Sequence, residues 1–315
     1  MTTRTEPATE RTLGIVLVSS SAAVFGLTGV LTKSIHADPL TITCWRGFVG
    51  SILISLYVFW RRRGTGGSLR LGWRGWLLAV EGAAASIAFI SAFKFTFVAN
   101  VAVIYATAPF IAALLGWLLT RERFRTQTML AAAVSMCGVA IMVWSGVGTG
   151  NLFGDGLALL MTVGSALYMI MVRAFRDTPV VWAGAVSAFL LFLLGWLVTD
   201  PLAVSRNDAV LLVTFGASFA LASVLWTEGA RLIPAAESGL LGSAEVPFAI
   251  LFAFLFLAEI PPLPSMIGGA IVLCAVFAHA GRDWLMARRA RSQRITQPQA
   301  VAEKETFNVT EPSSG

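Results

Sequence analysis

The chain has 315 residues, of which 57% are hydrophobic and 13% charged, with a net charge of +6. A soluble domain carries about 45–50% apolar and about 25% charged residues, so this excess needs an apolar solvent outside as well as an apolar core inside. That excludes an ordinary soluble enzyme or binding module. Nor does the positive charge point to nucleic acid, because it gathers in short loops and the C-terminal tail, where it sets membrane orientation and meets anionic lipid.

Residues 1–12 are polar and read as a disordered cytoplasmic tail. Ten membrane spans are predicted next, at about 13–33, 40–60, 73–94, 97–120, 128–146, 152–172, 180–199, 209–230, 235–258 and 264–281. Each approaches the roughly 20 residues needed to cross the hydrocarbon layer. The first is a full span, and Ser34-Ile35-His36-Ala37 lacks a small-x-small cleavage site, so it reads as an anchor and not as a signal peptide. Asp38-Pro39, Gly64–Gly67, Thr178-Pro179, Asp200-Pro201 and the prolines of Pro261–Pro264 punctuate the joins. The third and fourth spans meet near Lys94–Phe97 almost without a loop. Residues 282–315 read as a second, basic and disordered cytoplasmic tail.

Placing both termini in the cytoplasm puts 19 of the 23 lysines and arginines on that side. Only Lys33, Arg46, Lys94 and Arg206 then lie at outer ends or outside. An even number of spans preserves this asymmetry and an odd number scrambles it.

The sequence also repeats itself. At an offset of 140, Gly14 falls on Gly154, Lys33 on Arg173 and Pro39 on Pro179. At an offset of 137, Lys94 falls on Arg231, Asn100 on Glu237, Glu122 on Glu259 and Cys137 on Cys274. Each copy holds five spans, so the second enters the membrane from the opposite side. The expected fold is all-α and integral to the membrane, ten transmembrane helices as two inverted five-helix repeats, residues 13–146 and 152–281. Inverted repeats suit a secondary transporter, because two similar halves can exchange inward-open and outward-open shapes around a central site.

Enzyme chemistry finds no support. Cys44, Cys137 and Cys274 match no metal spacing or disulfide framework, His36 and His279 are far apart, and no Asp-rich cluster suggests magnesium. No metal and no cofactor is expected.

Intramembrane charges are the first candidates for a site, since each costs about 2.5–3.5 kcal/mol at mid-helix on insertion scales. Glu245 lies near the middle of the ninth span and shares a helix stripe with Glu237 and Leu241. Glu245 reads as a substrate or coupling-proton group, and Glu237 as shaping the cytoplasmic mouth. Glu81 and Glu228 sit nearer cytoplasmic ends, where snorkelling or a gate accounts for them. Arg46 reads as a structural charge paired with Asp38 or another outer acid. Lys94 and Arg231 read as anchors of helix ends. Pro109 and Pro247 interrupt the fourth and ninth spans and free backbone carbonyls, either for substrate or for packing alone.

In the first half, Phe25-Gly26 with Lys33, Pro39 with Arg46, Ala106-Thr107-Ala108-Pro109-Phe110 and a closing Glu122 form an ordered series. In the second half, Gly154-Asp155-Gly156, Leu167-Tyr168 with Arg173, Pro234-Ala235-Ala236-Glu237, Glu245, Glu259 and Ile267-Gly268-Gly269-Ala270 continue it. Over about residues 13–281 this series resembles the drug/metabolite transporter superfamily, in particular its bacterial EamA-type exporters. The resemblance implies a carrier of the bacterial cytoplasmic membrane with a cavity between its halves; ten helices can enclose such a cavity within one chain, so a monomer is expected. The resemblance also implies that Phe25, Tyr105, Tyr168 and Trp226 lie on cavity-lining helices, where rings can stack on a substrate or hold a cation. Its substrates include amino acids, purines, vitamins and toxic cations. Exporters of aromatic and other neutral amino acids look nearest, with cationic drugs, nucleobases and vitamins as alternatives. Expected partners are therefore a small-molecule substrate, membrane lipid and protons. One departure stands out: Val246 separates Glu245 from Pro247, where the family often has Glu-Pro. A one-residue shift turns a kink by about 100°, which is expected to change the aim of the carboxylate.

Overall fold

A computed structural model describes residues 7–65, 70–120, 126–145, 151–175 and 177–309. Glu122, which closes the first-half motif, lies outside them. The described residues form thirteen helices: α1 (Pro7–Gly26), α2 (Thr28–Ser34), α3 (Pro39–Thr65), α4 (Gly72–Phe95), α5 (Val98–Tyr105), α6 (Ala108–Thr120), α7 (Thr126–Ser145), α8 (Leu152–Ala174), α9 (Val180–Val198), α10 (Arg206–Leu232), α11 (Ala235–Gly242), α12 (Glu245–Leu257) and α13 (Leu263–Val309). Ten spans result, as expected, because α1 with α2, α5 with α6, and α11 with α12 each cross as one broken helix. Hydrocarbon offers no partner for backbone N–H and C=O groups, and helices satisfy their own.

The inverted repeat is visible element by element. An offset of 137 carries Val98–Tyr105 onto Ala235–Gly242 and Ala108–Thr120 onto Glu245–Leu257. Packing obeys the same two-fold relation. The contact of α1 with α10 is mirrored by that of α8 with α4, and α3 with α10 by α9 with α4. Two pairs, α3 with α9 and α7 with α13, lie on the relation itself and pack against their own counterparts.

Glycine lets these self-paired seams close. A Cβ at Gly268 would lie 2.4 Å from the Gly138 carbonyl oxygen, and one at Gly138 would lie 2.7 Å from that of Gly268. The two backbones therefore touch where α7 crosses α13, a contact small residues permit. Gly268→Leu is expected to cost about 1–3 kcal/mol by overpacking. A clear fall in the melting temperature of the purified protein checks this; an unchanged value would mean that the seam relaxes freely.

Both tails depart from expectation. The first helix begins at Pro7, inside the segment read as disordered, and α13 runs unbroken through residues 282–309. Polarity suggested disorder there, but the segment from Asp283 to Arg294 is rich in Ala, Arg, Leu and Met, which favour helix whether or not they are buried.

Candidate functional site

The broken helices set the site. Only Ala106 and Thr107 separate α5 from α6, and only Ser243 and Ala244 separate α11 from α12. At each break a hydroxyl donates to a carbonyl three residues back: Thr107 to Ile104 at 2.7 Å and Ser243 to Leu240 at 2.6 Å. Pro109 is the second residue of α6 and Pro247 the third of α12. Both fall in a first turn, where the missing N–H would have no helical partner. The one-residue shift of the proline therefore leaves the two breaks aligned. Glu245 becomes the first residue of α12, where the helix dipole favours a negative charge.

Between the halves lies a cavity of about 340 Å³. Both repeats line it. Phe25, Phe89, Tyr105, Tyr168 and Phe219 supply rings, Ser86, Ser165 and Ser187 supply hydroxyls, and Arg46, Glu81 and Glu245 supply charge. Size and lining match a small-molecule site, which is mostly apolar with a few placed polar groups.

Arg46 and Glu81 differ from their predicted roles. Arg46 is 4% exposed and pairs with no carboxylate among the described residues. Its guanidinium donates to Ser86 Oγ and lies over the Phe219 ring, 4.4 Å from the centroid. Asp38, its expected partner, instead accepts from the backbone N–H groups of Leu40 and Thr41 at 2.9 and 3.0 Å at the start of α3. Glu81 does not snorkel to an interface; it faces the cavity, with Oε2 buried and unpartnered.

Other candidates lie away from the lining. Glu237 is 8% exposed and accepts from Arg11 Nη2 at 2.8 Å, fastening α11 to α1 on the face where the first span begins. Glu228 on that same face joins Arg61 at 3.3 Å and Arg231 at 2.9 Å, and takes a hydrogen bond from Tyr57. Trp226 presses on Gly242, where a Cβ would stand 2.4 Å from the indole, so it supports the break in the ninth span from behind. Pro109 and Pro247 seat the breaks and do not line the cavity. Lys94 ties the end of α4 to the Ile35 carbonyl, consistent with an anchor.

The opposite face carries a network that the sequence did not announce. Lys33 Nζ lies 3.0 Å from Glu259 Oε2, and Glu259 Oε1 accepts from the Val98 N–H at 2.7 Å, capping α5. Asp155 accepts from Thr96 at 2.6 Å and from Asn100 at 3.1 Å. Ala258 holds the left-handed conformation (φ 50°) that ends α12 and turns Glu259 back toward α5. Glycine usually marks such an end, so alanine concealed it. Every residue from Val98 to Ile104 in α5 is buried, whereas its counterpart α11 and the break that follows are partly exposed from Gly239 to Glu245. Of these two matching half-helices, α5 is therefore the more deeply packed.

A signal for the charges was available. Under the repeat offsets Arg46 corresponds to Val186, Glu81 to Ser218 and Glu245 to Ala108. A symmetric scaffold therefore carries an asymmetric set of charges at the cavity.

Ten spans in two inverted repeats around a central charged cavity define a membrane transporter. The chain belongs to the EamA-like transporter family, of the drug/metabolite transporter superfamily, which matches residues 12–144 and 152–279. A curated relative, the "Uncharacterized transporter YetK" of Bacillus subtilis strain 168, is 26% identical over 208 residues, covering 61% of this chain. That match spans only 62% of the relative's length. A solved crystal structure shares the fold with a TM-score of 0.59 at 20% identity, over 84% of this chain and 96% of that one.

Proposed function

We propose that this transporter is a secondary carrier of the bacterial cytoplasmic membrane that exports aromatic or other neutral amino acids by alternating access. The observation that carries the reading is the midplane cavity, where five rings and three charges meet between two halves able to exchange shapes. Basic loops favour cytoplasmic termini. On that orientation α11 borders the cytoplasmic entrance, and the Lys33–Glu259 network closes the exit. One chain encloses the cavity, so a monomer suffices. Protons are the coupling ion in this reading, with Glu245 as their carrier.

The test is efflux of labelled phenylalanine and threonine from proteoliposomes holding the purified protein, with empty liposomes as control. Saturable release that the unlabelled amino acid competes away is the expected result. Release of a cationic drug, a nucleobase or a vitamin, with none of either amino acid, would overturn the substrate class while leaving a carrier.

A further inference from the structure

The geometry points to Arg46 and Glu81 as the two poles of a zwitterion site, with the guanidinium taking the substrate's carboxylate and Glu81 its ammonium. This rests on the carrier reading above and goes further, because it gives the head group two named ligands and predicts what the site rejects.

Arg46 is the key. An arginine guanidinium does not shed its proton in a protein and offers five N–H donors. Buried in the apolar interior, it should hold an anion, yet no described carboxylate lies within ion-pair distance of it. Its Nε is buried and without a hydrogen-bond partner, while the Nη2 group reaches Ser86. Phe219 and Phe215, with centroids 4.4 and 5.7 Å from Cζ, hold the guanidinium plane in place without neutralising it. Glu81 repeats the pattern with the opposite sign: Oε2 is buried and unpartnered. Unmet groups of this kind cost about 1–3 kcal/mol each, which a bound ligand recovers.

Placement supplies the spacing. Ser86, which marks the level of Arg46, stands five residues beyond Glu81 on α4, about 7.5 Å along the helix axis. Two charged hydrogen bonds of about 3 Å each, with an α-amino-acid head group between them, cover such a gap. The rings of Phe25, Phe89 and Tyr105 border the rest of the cavity and suit an apolar side chain. An amine would leave Arg46 without an anion and place a second cation in its cavity. A carboxylic acid would face Glu81 and Glu245. A zwitterion satisfies both poles.

The experiment measures thermal stabilisation of the purified full-length protein by two matched triads. These are phenylalanine, phenethylamine and 3-phenylpropanoate, and then leucine, 3-methylbutylamine and 4-methylpentanoate. The wild type is expected to bind the amino acid of a triad at least about tenfold more tightly than its amine or acid. Arg46→Gln should weaken the amino acid by about 30-fold and bring it level with the amine. Glu81→Gln should bring the amino acid level with the acid. Arg46→Lys keeps the charge and should retain the order of preference at lower affinity, which separates recognition from misfolding. A wild type that binds the amine as tightly as the amino acid overturns the assignment, and so does an Arg46→Gln protein whose preferences are unchanged. If no triad member stabilises the protein the assignment also falls, while the transport panel decides the carrier reading separately.

Discussion

Glu245→Gln is expected to abolish the pH-gradient dependence of transport while leaving substrate-for-substrate exchange at zero gradient. Glu245 is the one cavity charge on a broken helix, as the first residue of α12. The segment that must move to change access therefore carries the group that would change charge. Gaining or losing a proton at the bilayer centre is worth about 2.5–3.5 kcal/mol on insertion scales, a bias on the order of 100-fold between two conformations. Glutamine keeps the shape and removes that lever. Counterflow and gradient-driven flux in the same proteoliposomes separate the two properties. A mutant whose gradient-driven flux matches the wild type would rule out Glu245 as the proton carrier.

Glu259→Ala is expected to shift the resting protein toward the shape open on the face opposite the chain's first residues. Glu259 performs two tasks there: it pairs with Lys33 at 3.0 Å and caps α5 through the Val98 N–H at 2.7 Å. Its side chain is 9% exposed and that of Lys33 24%. Breaking a buried pair by removing one partner costs about 3–5 kcal/mol, and the exposure of Lys33 argues for the lower end. Near 3 kcal/mol the conformational ratio moves on the order of 100-fold. Lys33→Met should move it less, because Glu259 still caps α5. The reporter is Ala102→Cys in a background without the native cysteines, since Ala102 sits behind the network at 6% exposure. Its reaction with an impermeant thiol reagent from the opposite face should rise strongly with Glu259→Ala and modestly with Lys33→Met. Equal, unchanged rates would show that this network does not hold the face closed.

The two networks give the faces different characters. Toward the opposite face, Asp155 and Glu259 bind backbone and side-chain donors in buried positions. On the first face Glu228 gathers Arg61 and Arg231, while the half-exposed Arg11 pairs with Glu237 and joins α11 to α1. Exposed pairs contribute little beyond about 1 kcal/mol, so that latch should open and close readily. In the proposed export reading, the first face is then the entrance and the opposite face the closed exit.

Much of this was legible in the sequence because of the solvent. Apolar length, basic loops and breakers give ten spans, since hydrocarbon forces each crossing segment into one regular form. Two offsets in the numbering give the repeat, and helices such as α5, α6, α11 and α12 begin and end at matching positions. Glu245 stands out by its intramembrane charge, and Phe25, Tyr105 and Tyr168 only through the family resemblance; all four line the cavity. Glu237, Trp226, Pro109 and Pro247 were named as well and lie in the supporting layer.

Only the tertiary structure decided what each charge faces. Arg46 reads as an outer structural residue along its own helix, yet α4 and α10 bring Ser86 and Phe219 to it and no carboxylate does. Glu81 reads as a snorkelling residue, and the packing of α4 against α8 and α9 turns it inward. Glu259 stands in the sequence as the counterpart of Glu122, and the left-handed turn at Ala258 aims it across the protein at α5. The physical reason is common to all three. A span's existence depends on local composition, whereas a side chain's partner depends on which neighbouring helix rotates which face toward it, and that is fixed by contacts between distant parts of the chain.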